Sequence, residues 1–491
     1  MSTLKRGLLI DGKEIPSSNQ ATADDISPWT GEVFATVAAA TTQDVTAAVD
    51  AAAKAFPAWS EMLPYERRKI FLRAADIMEA KTEDAVATMA AEVGGARPWA
   101  AFNVELCVEI LREAAAAVTQ PKGQILATQM VGVSSYGKRV PYGVIAAISP
   151  WNAPFILGVR AIAIPLAVGN TVVMKPSEDA PISCGLYLAD VLNEAGLPKG
   201  VLNVVTNDVK DAGAIVETLI ADPRVRLVNF TGSTNVGRII GTTAAKYLKP
   251  AILELGGKNP LVVLKDADID YAVKTAVFGS FMNSGQICMS TDRVIVHRDI
   301  ADAFTTAFAA AVKAIPSGDP SDPATFVGPV VNKRAAERVS ALIKDAIGKG
   351  ATLLAGTGEI EGEQKTLIRP VLLSDITEDM EIFYGEIFGP ATVLHVVDSV
   401  EEAIELANDT DYGLTAGVIS ENMTEALRVA NRIESGIVHV NDQGIGDEPM
   451  APFGGVKNTG YGRFGGANGV EAFSVTRWIT VQEEGRQPQY R

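Results

Sequence analysis

Cys288 and Glu254 are the two residues whose side chains and neighbours are best suited to covalent chemistry. Cys288 lies in Gly285-Gln-Ile-Cys-Met-Ser290, and Glu254 precedes it in Leu253-Glu-Leu-Gly-Gly-Lys258. A thiol is the strongest ordinary nucleophile among side chains, and a carboxylate can act as the base that activates water. The small polar neighbours of Cys288 favour a loop or helix start, where backbone N–H groups favour the thiolate. An isolated cysteine is more often a small buried hydrophobe, so the other segments of the chain must decide between these interpretations.

Seven short segments resemble those of the aldehyde dehydrogenase superfamily, in the family's order and approximate spacing. The resemblance runs from about residue 9 to about residue 482, and the stretches 151–160 and 286–290 are most similar to those of bacterial vanillin, benzaldehyde and salicylaldehyde dehydrogenases. The matching segments are Ser149-Pro-Trp-Asn152, Lys175-Pro-Ser-Glu178, Phe230-Thr-Gly-Ser233, Leu253-Glu-Leu-Gly-Gly257, Gly285-Gln-Ile-Cys288, Glu386-Ile-Phe-Gly-Pro390 and Pro452-Phe-Gly-Gly455. Each segment alone is weak evidence of membership, but the seven together identify the chain as a member of this superfamily.

Length and charge limit the possible classes of protein. A chain of 491 residues is too long for one hydrophobic core, so we expect two or three domains. Apolar residues make up 47% of the chain and charged residues 21%, as in ordinary globular proteins. The 59 acidic and 43 basic side chains give a net charge of −16, which repels phosphate backbones. We therefore expect no nucleic-acid partner.

The cysteines and the apolar segments favour a cytoplasmic protein. Cys107, Cys184 and Cys288 have neither a disulfide framework nor metal-like spacing, and a free nucleophilic thiol survives best in a reducing compartment. The run Leu8-Leu-Ile10 is too short for the core of a signal peptide. Residues 153–174 are strongly apolar but contain an arginine and two prolines, which favours a buried core segment over a membrane span. We expect no membrane partner and no bound metal.

Short apolar runs alternate with amphipathic helices beyond Val140, which is the βαβ pattern of a doubly wound α/β sheet. The buried strands predicted in this part are Val144–Ile148, Thr171–Met174, Val201–Val205 and Leu227–Phe230. A second α/β series is predicted after Glu254, with strands Leu261–Leu264, Val294–His297, Ala391–His395 and Gly436–Val440. The predicted helices are Thr41–Phe56 with Thr42 as a possible cap, Arg67–Ala80, Ser183–Ala195, Asp211–Ala221, Asp299–Ala314 and Ser399–Ala407.

The resemblance implies the aldehyde dehydrogenase fold, which is α/β with three parts. These are a Rossmann-like NAD-binding domain at residues 1–121 and 142–253, an α/β catalytic domain at 254–465, and a β-strand oligomerisation arm at 122–141 and 466–491. Phe473–Gln482 alternates as a strand does, and together with Gly123–Val140 it resembles the family's arm. Such an arm adds strands to a neighbouring subunit's sheet and implies a homodimer or homotetramer. A hairpin at the edge of one sheet is the alternative.

The segment Phe230–Gly237 is the predicted phosphate-binding turn of the cofactor site. It follows a predicted strand and begins a helix. Glycine allows the backbone to approach a pyrophosphate closely, and the N–H groups at the start of the helix face this anion. Such a turn can also be purely structural, and the resemblance favours cofactor binding. Gly460–Gly465 matches G-x-G-x-x-G as well, but no apolar strand precedes it and no clear helix follows. We interpret that segment as a loop without a cofactor role.

The resemblance implies a larger set of cofactor-binding residues around this turn. They are Ile148, Ser149, Pro150, Trp151, Lys175, Ser177, Glu178, Phe230, Thr231, Gly232, Ser233, Val236, Leu255, Gly256, Glu386 and Phe388. In the family, Lys175 and Glu178 would hydrogen-bond the adenosine ribose, and Glu386 and Phe388 would hold the nicotinamide ribose and ring. A carboxylate at Glu178 pairs with free ribose hydroxyls and repels a 2′-phosphate, so we predict NAD, with NADP as a weaker cofactor.

The resemblance also implies the catalytic roles, which fall to Cys288, Glu254, Asn152 and Lys175. The Cys288 thiolate would attack the aldehyde, and Asn152 with the Cys288 backbone N–H would stabilise the oxyanion. After hydride leaves, Glu254 would activate the water that hydrolyses the thioester. Glu254, at the end of a strand, could instead be a salt-bridge partner. Asn152, which prolines flank, could instead be a turn residue. The presence of Glu254 disfavours the CoA-acylating branch of the superfamily, and the three histidines lie in no motif of a Cys–His hydrolase.

The predicted function is NAD-dependent oxidation of an aromatic aldehyde, of the vanillin or benzaldehyde type, to its carboxylate. The candidate pocket residues are Trp99, Phe155, Arg160, Ile287, Met289 and Tyr461, each of which could instead belong to the core or to an ion pair. Asn441–Ile445 is a candidate wall that departs from the Asn-Gly-Pro associated with several vanillin-type enzymes. The alternative within the class is an aliphatic or semialdehyde substrate of the succinate semialdehyde type, with Arg160 as its carboxylate anchor. A catalytically dead scaffold and a CoA-dependent transferase are the alternatives from other classes.

Overall fold

The computed structural model describes residues 3–482, so residues 1–2 of the predicted NAD-binding domain and 483–491 of the predicted arm lie outside it. The strands are β1 Leu4–Arg6, β2 Leu8–Ile10, β3 Lys13–Ile15, β4 Thr22–Ile26, β5 Val33–Ala38, β6 Gly123–Leu126, β7 Val133–Pro141, β8 Val144–Ser149, β9 Thr171–Pro176, β10 Leu202–Val204, β11 Val225–Thr231, β12 Ala251–Glu254, β13 Asn259–Val263, β14 Thr291–His297, β15 Thr352–Ala355, β16 Ile360–Glu361, β17 Leu367–Ile368, β18 Val371–Ser374, β19 Ala391–Val397, β20 Thr415–Ile419, β21 Ile437–Val440, β22 Gly460–Tyr461 and β23 Ser474–Gln482. The α-helices are α1 Thr42–Glu61, α2 Pro64–Ala80, α3 Thr82–Val93, α4 Arg97–Ala117, α5 Pro154–Ala167, α6 Tyr187–Glu194, α7 Ala212–Ala221, α8 Thr234–Lys246, α9 Ile269–Phe281, α10 Arg298–Lys313, α11 Lys333–Gly348, α12 Glu381–Tyr384, α13 Val400–Asn408, α14 Met423–Ala430 and α15 Gly466–Ala472.

The first large sheet has eight strands in the order β22-β12-β11-β8-β9-β10-β2-β3. Its five central strands, β12 to β10, are parallel, and both of its edges are antiparallel. Alternate residues of β8 face opposite cores, with Val144 and Ala146 on the side of α1 and α7 and Ile145 and Ala147 on the side of α4 and α5. Helices therefore cover both faces, which explains why these strands read as continuous apolar runs.

The second large sheet has seven strands in the order β15-β18-β19-β14-β13-β20-β21, and only β15 is antiparallel to its neighbour. It too is covered on both faces. Leu261 and Val263 of β13 pack against α9 and α10, whereas Val262 packs in a separate core with α13 and α14. Two βαβ sheets in one chain agree with the two α/β series that the sequence predicts.

A separate three-stranded antiparallel sheet, β23-β7-β6, stands apart from the two large sheets. The strand β23 pairs with β7 over its whole length, from Ser474 against Pro141 to Gln482 against Val133. Large apolar side chains of this sheet are exposed, among them Ile125 at 85% and Trp478 at 69%. An exposed apolar surface of this kind is typical of a protein–protein contact.

Three local predictions differ from the structure. Helix α1 is capped by Thr41 rather than Thr42, because Thr41 and Asp44 form a reciprocal capping box. The helix predicted from Ser183 begins instead with a π-helical turn at Ile182–Leu186 before α6. The segment Gly460–Gly465 is not simply a loop, because Gly460 and Tyr461 pair with β12 and α15 follows directly.

The apolar segment 153–174 forms helix α5 and strand β9, and every residue of both elements is buried. Over residues 3–482, no helix combines the length and the apolar character needed to cross a membrane. Buried α/β core is therefore the correct interpretation of this segment.

Candidate active site

The carboxyl ends of the parallel strands in the first sheet meet at one edge, where the strand order reverses at β8. Open α/β sheets bind ligands at such a position, because the loops leaving neighbouring strands diverge there. Two adjoining cavities, of about 630 and 550 Å³, lie at this edge and share Pro150, Trp151 and the turn Thr231–Ser233. Every residue expected to bind the cofactor lies on the wall of one of these two cavities.

Cys288 lies on the wall of the larger cavity, in a turn just before β14. The chain enters this turn through three consecutive residues in the left-handed region, Asn283, Ser284 and Gly285, with φ of 51°, 57° and 67°. A Cβ at Gly285 would lie 2.1 Å from the carbonyl oxygen of Gly389, so only glycine permits this close approach. The turn leaves Cys288 partly exposed, whereas Cys107 and Cys184 are fully buried.

The surroundings of Cys288 oppose the thiolate form that the sequence led us to expect. Burial raises the pKa of its thiol well above the ordinary value, and the neighbouring carboxylates Glu254 and Glu386 raise it further. No helix begins at Cys288 to oppose these effects, because the residue lies in a turn rather than at a helix start. The thiol therefore needs a proton acceptor before it can act as a nucleophile.

Glu254 is the last residue of β12 and lines the same cavity as Cys288. Its side chain is 2% exposed, and neither carboxylate oxygen has a hydrogen-bond partner among residues 3–482. Burial raises the pKa of Glu254 to about 7, although the positive charge of Arg160 lowers it. A carboxylate with this pKa can accept and release a proton near neutral pH, as a catalytic base must.

Asn152 is held by hydrogen bonds to three residues from other segments of the chain. Its backbone oxygen accepts hydrogen bonds from Trp99 Nε1 and Asn283 Nδ2, each at 3.0 Å. Its own Nδ2 donates to the carbonyl oxygen of Gln286 at 3.0 Å, and a primary amide nitrogen carries a second N–H. Because Asn152 and Cys288 line the same cavity, this second donor is available to a group bound beside the thiol.

The smaller cavity presents a charged pair and a helix N-terminus. Lys175 Nζ lies 2.6 Å from Glu178 Oε1, and Asn207 Nδ2 donates to the same oxygen at 2.8 Å. Ser233, which lines the same cavity, caps α8 by accepting a hydrogen bond from the backbone N–H of Val236. Free N–H groups in the first turn of α8 make this end of the cavity attractive to an anion.

Glu386 and Phe388 lie on a loop that forms part of the wall of the larger cavity. The carboxylate of Glu386 accepts a hydrogen bond from Gly257 N at 3.0 Å, and burial raises its pKa to about 7. The ring of Phe388 meets that of Trp151 edge-on, with centroids 5.7 Å apart. The backbone of Phe388 is left-handed, at a φ of 46°, which an aromatic residue adopts only when its surroundings impose it.

Three charged residues that the sequence analysis did not single out fix the backbone of this loop. Lys258 Nζ donates to Gly385 O at 2.7 Å, and Asp292 Oδ2 accepts from Ile387 N at 3.1 Å. Arg338 Nη2 donates to Ile387 O at 2.6 Å. Arg338 also lines the larger cavity, as do Arg334, Asp179 and Asn332. Their contacts join segments far apart in the chain, so no local pattern marks these residues.

The candidate pocket residues occupy three different environments in the structure. Trp99, Phe155, Ile287 and Met289 are buried in one large apolar core, against which Cys288 packs and to which Ile445 of the candidate wall also belongs. Arg160 is buried in an ion pair with Asp447. Phe155 is fully buried and stacks edge-on against Tyr187, and Tyr461 is 52% exposed on the edge strand β22.

A cysteine and a buried glutamate line one of two adjoining cavities at the carboxyl edge of an α/β sheet, an arrangement that fits the aldehyde dehydrogenase class. Residues 15–479 match the model of the aldehyde dehydrogenase family, and the chain belongs to that family. In particular, it is 48% identical over 479 residues to a vanillin dehydrogenase from a Pseudomonas species, covering 98% of each chain.

Solved structures confirm the predicted fold class. The crystal structure of a salicylaldehyde dehydrogenase from Pseudomonas putida G7 in complex with salicylaldehyde has a TM-score of 0.96 and 42% identity, over 99% of this chain and 100% of that one. An NAD-dependent aldehyde dehydrogenase from Sinorhizobium meliloti has a TM-score of 0.95 and 35% identity, over 100% of this chain and 97% of that one.

Proposed function

We propose that this protein oxidises an aromatic aldehyde to its carboxylate with NAD, through a thiohemiacetal and a thioester on Cys288. The observation that carries the proposal is the juxtaposition of a partly exposed thiol, a buried carboxylate and an amide donor in one cavity. The similarity to vanillin and salicylaldehyde dehydrogenases supports the aromatic substrate. The semialdehyde alternative is less favourable, because Asp447 already neutralises Arg160, its candidate anchor.

The two cavities fit a nicotinamide dinucleotide. Their shared wall contains the glycine turn and the capped N-terminus of α8, which suit the diphosphate in the middle of the cofactor. Lys175 and Glu178 would hold the adenosine ribose, and Glu386 and Phe388 would hold the nicotinamide half. When bound, the nicotinamide ring supplies the hydride acceptor for the oxidation.

In the acylation half of the reaction, Glu254 accepts the thiol proton of Cys288. The sulfur then bonds to the aldehyde carbon, and the carbonyl oxygen becomes an alkoxide. The free N–H of Asn152 and the backbone N–H of Cys288 stabilise this negative charge. Loss of hydride from the carbon restores the C=O bond and leaves a thioester on Cys288.

In the deacylation half, Glu254 acts as the base towards water. It takes one proton while the oxygen bonds to the thioester carbon, and the C–S bond then breaks to release the carboxylic acid. The departing sulfur leaves as the thiolate or takes up a proton. The pKa of about 7 suits Glu254 to both halves, because it must be deprotonated to begin and must release its proton afterwards.

We expect Asn152→Ala to lower kcat by about 10²–10³-fold, because one of two oxyanion donors is lost. Cofactor affinity should change little, since Asn152 is not among the residues proposed to hold the cofactor and its side-chain amide donates to Gln286 O. Steady-state kinetics and cofactor titration measure the two quantities separately. The isosteric variant Asn152→Asp is the control for shape: it should lose activity to a similar degree, and a fully active Asn152→Asp would contradict the oxyanion role.

We expect Glu178→Gln to lower the preference for NAD over NADP, expressed as the ratio of kcat/KM values, by about 10–10²-fold. The substitution keeps the size of the side chain but removes the charge that would repel a 2′-phosphate, and Lys175 then attracts it. Glu217→Gln is the matched control, because Glu217 lines the same cavity but its side chain is 61% exposed. An unchanged ratio in Glu178→Gln would contradict this assignment.

We also propose that the β23-β7-β6 sheet is an oligomerisation arm and that the protein is a cytoplasmic homodimer or homotetramer. The exposed side chains Ile125, Trp478 and Val481 support this proposal, since burial of such a surface favours association. The three free cysteines fit a reducing compartment. Light scattering of the wild type and of Trp478→Lys tests the arm, and a monomeric wild type would contradict it.

NADH formation with a small panel of aldehydes tests the proposed reaction. The panel contains vanillin, benzaldehyde, salicylaldehyde, succinate semialdehyde and propanal, each with NAD and with NADP. Higher kcat/KM for the aryl aldehydes is the expected result. Faster oxidation of succinate semialdehyde would favour the alternative substrate, and turnover that requires CoA would indicate an acyl transferase.

A further inference from the structure

Asn207 has a buried side-chain amide that contacts the proposed ribose site but takes no part in the reaction described above. It follows β10 by three positions, and Glu178 follows the neighbouring parallel strand β9 by two. Because the carboxyl ends of parallel strands meet at one edge of a sheet, the fold places the two side chains next to each other there. Asn207 is only 3% exposed, so it reaches Glu178 from inside the protein.

The amide nitrogen of Asn207 is directed at the carboxylate of Glu178. Nδ2 donates to Glu178 Oε1 at 2.8 Å and to the carbonyl oxygen of Asp208, also at 2.8 Å. A carboxylate and a carbonyl oxygen can only accept, so the nitrogen of the amide, and not its oxygen, must lie on this side. Both N–H groups of the Asn207 amide are therefore used, one of them on Glu178.

The other end of the same amide shows that folding alone does not account for an asparagine at this position. Asn207 Oδ1 is buried and has no hydrogen-bond partner among residues 3–482. A buried polar atom without a partner costs free energy, and an apolar residue of similar size avoids that cost. The contact with Glu178 is the feature of Asn207 that an apolar residue would lack.

Glu178 is held at one carboxylate oxygen by two residues of different kinds. Lys175 Nζ lies 2.6 Å from the Oε1 atom to which Asn207 donates. The four-carbon stem of a lysine is flexible, so Lys175 by itself can follow the carboxylate into other positions. Asn207 has a short side chain, and its backbone is fixed by the preceding residue, because Thr206 Oγ1 donates to Ala38 O at 2.6 Å. Asn207 therefore fixes the carboxylate relative to the sheet.

The second oxygen of Glu178 is directed to other partners. All hydrogen bonds of its carboxylate within the described part of the chain are made by Oε1, and Glu178 lines the smaller cavity. A glutamate discriminates against a 2′-phosphate only while its charge stays beside the 2′ position. A glutamate side chain that is not held can rotate about three bonds towards the solvent, and Lys175 would then be free to bind the phosphate.

We propose, on the basis of the NAD-dependent function above, that Asn207 is a positioning residue that determines cofactor specificity. Its amide keeps the carboxylate of Glu178 at the adenosine ribose. There Glu178 Oε2 accepts a hydrogen bond from a ribose hydroxyl, and the negative charge repels a 2′-phosphate. Discrimination between NAD and NADP then depends on how firmly Glu178 is held as well as on its charge.

The first test compares the wild type with Asn207→Ala, using one aryl aldehyde and each cofactor in turn. We expect the preference for NAD, expressed as the ratio of kcat/KM values, to fall by about 5–10-fold, because a hydrogen bond to a charged group is lost. The fall should be smaller than in Glu178→Gln, since Lys175 still contacts the carboxylate. It should appear in KM, while kcat at saturating NAD changes by less than about twofold, because the reacting groups lie in the other cavity.

A double-mutant cycle separates positioning of Glu178 from a structural effect. In Glu178→Gln the charge that Asn207 holds is already absent. Adding Asn207→Ala to this variant should therefore change the cofactor ratio by less than about twofold further. If Asn207 only supported the local fold, its loss would weaken both cofactors alike and would have the same effect in either background.

The matched control is Asn229→Ala, which also removes a buried amide from the first large sheet. Asn229 lies on β11, its Nδ2 donates to Ala161 O at 3.4 Å, and its Oδ1 has no partner in the described part of the chain. This variant should leave the cofactor ratio unchanged. If Asn207→Ala does not fold, Asn207→Leu fills a similar volume without a donor and should lower the ratio by the same factor.

Titration of the tryptophan fluorescence with NAD and with NADP tests the inference without turnover. An unchanged ratio of Kd values in Asn207→Ala and Asn207→Leu overturns it, as does an equal change in the Glu178→Gln background. A wild type that oxidises aryl aldehydes equally well with both cofactors also overturns it and leaves the aldehyde oxidation intact. A wild type that binds NAD but oxidises no aryl aldehyde contradicts only the proposed substrate, and the titrations still decide the role of Asn207. A wild type that binds neither cofactor contradicts both.

Discussion

Cys288→Ala should abolish aldehyde oxidation, lowering kcat by about 10⁴-fold or more. Without the sulfur no thiohemiacetal forms, and an aldehyde carbon at the sp² level cannot release a hydride. The neighbouring Glu254 and Asn152 cannot replace the missing bond, since they act on a proton and on an oxyanion. NADH formation with the best aryl aldehyde measures the loss, and single-turnover experiments should show no NADH at all.

The control for this variant is Cys107→Ala, which also replaces a cysteine by alanine but at a core position of helix α4. Cys107 is fully buried, and burial raises the pKa of its thiol far above the physiological range, so it should be inert. Cofactor affinity, followed by quenching of the fluorescence of Trp151 and the other tryptophans, should be similar in both variants and the wild type. If Cys288→Ala retained substantial activity, the catalytic assignment would be wrong.

Glu254→Gln should slow steady-state turnover by about 10²–10⁴-fold, because the base that activates water for deacylation is lost. Glu254 is also the proposed acceptor of the Cys288 proton, so the experiment is made at alkaline pH, where hydroxide from the solvent takes that proton and the first half of the reaction proceeds. Rapid mixing should then show one burst of NADH per active site, followed by a much slower phase. Intact-protein mass spectrometry should detect the acyl group retained on Cys288.

The pH dependence provides a second test of Glu254. Its pKa is raised from an ordinary value near 4 to about 7, so the active, deprotonated form prevails only above about pH 7. Below this pH, kcat of the wild type should fall by about tenfold per unit where deacylation limits the rate. The residual activity of Glu254→Gln should not show this fall in kcat below about pH 7, which is the acidic limb of the pH profile. An unchanged limb, or a variant with wild-type turnover, would exclude Glu254 as the base.

The α/β class and the edge of the sheet where the site lies could both be predicted from the sequence. Apolar runs such as Val144–Ile148 indicate strands from the local sequence alone. A residue that follows such a strand lies at its carboxyl end, whatever the strand's position in the sheet, and ligands bind at the carboxyl ends of parallel strands. Lys175, the turn at Gly232 and Glu254 each occupy such a position, at the ends of β9, β11 and β12. Their convergence could therefore be predicted without coordinates.

The electrostatic surroundings of Cys288 became evident only in the tertiary structure. The sequence predicted a thiolate, whereas burial and the carboxylates of Glu254 and Glu386 raise the pKa of the thiol. The side chains of Lys258, Asp292 and Arg338 that hold the Glu386–Phe388 loop also became visible only in the fold.

The pairing of Arg160 with Asp447 shows most clearly where sequence interpretation ends. Arg160 was identified as a possible carboxylate anchor, but its partner lies 287 positions away and cancels its charge. The periods of helices and strands predict only which residues close together in the sequence share a face. A pKa or an ion pair depends on every charge and apolar surface that packing brings close to the group, including those from distant segments. The sequence thus determined which strands and motifs build the site, and the tertiary structure decided the electrostatics that give each side chain its role.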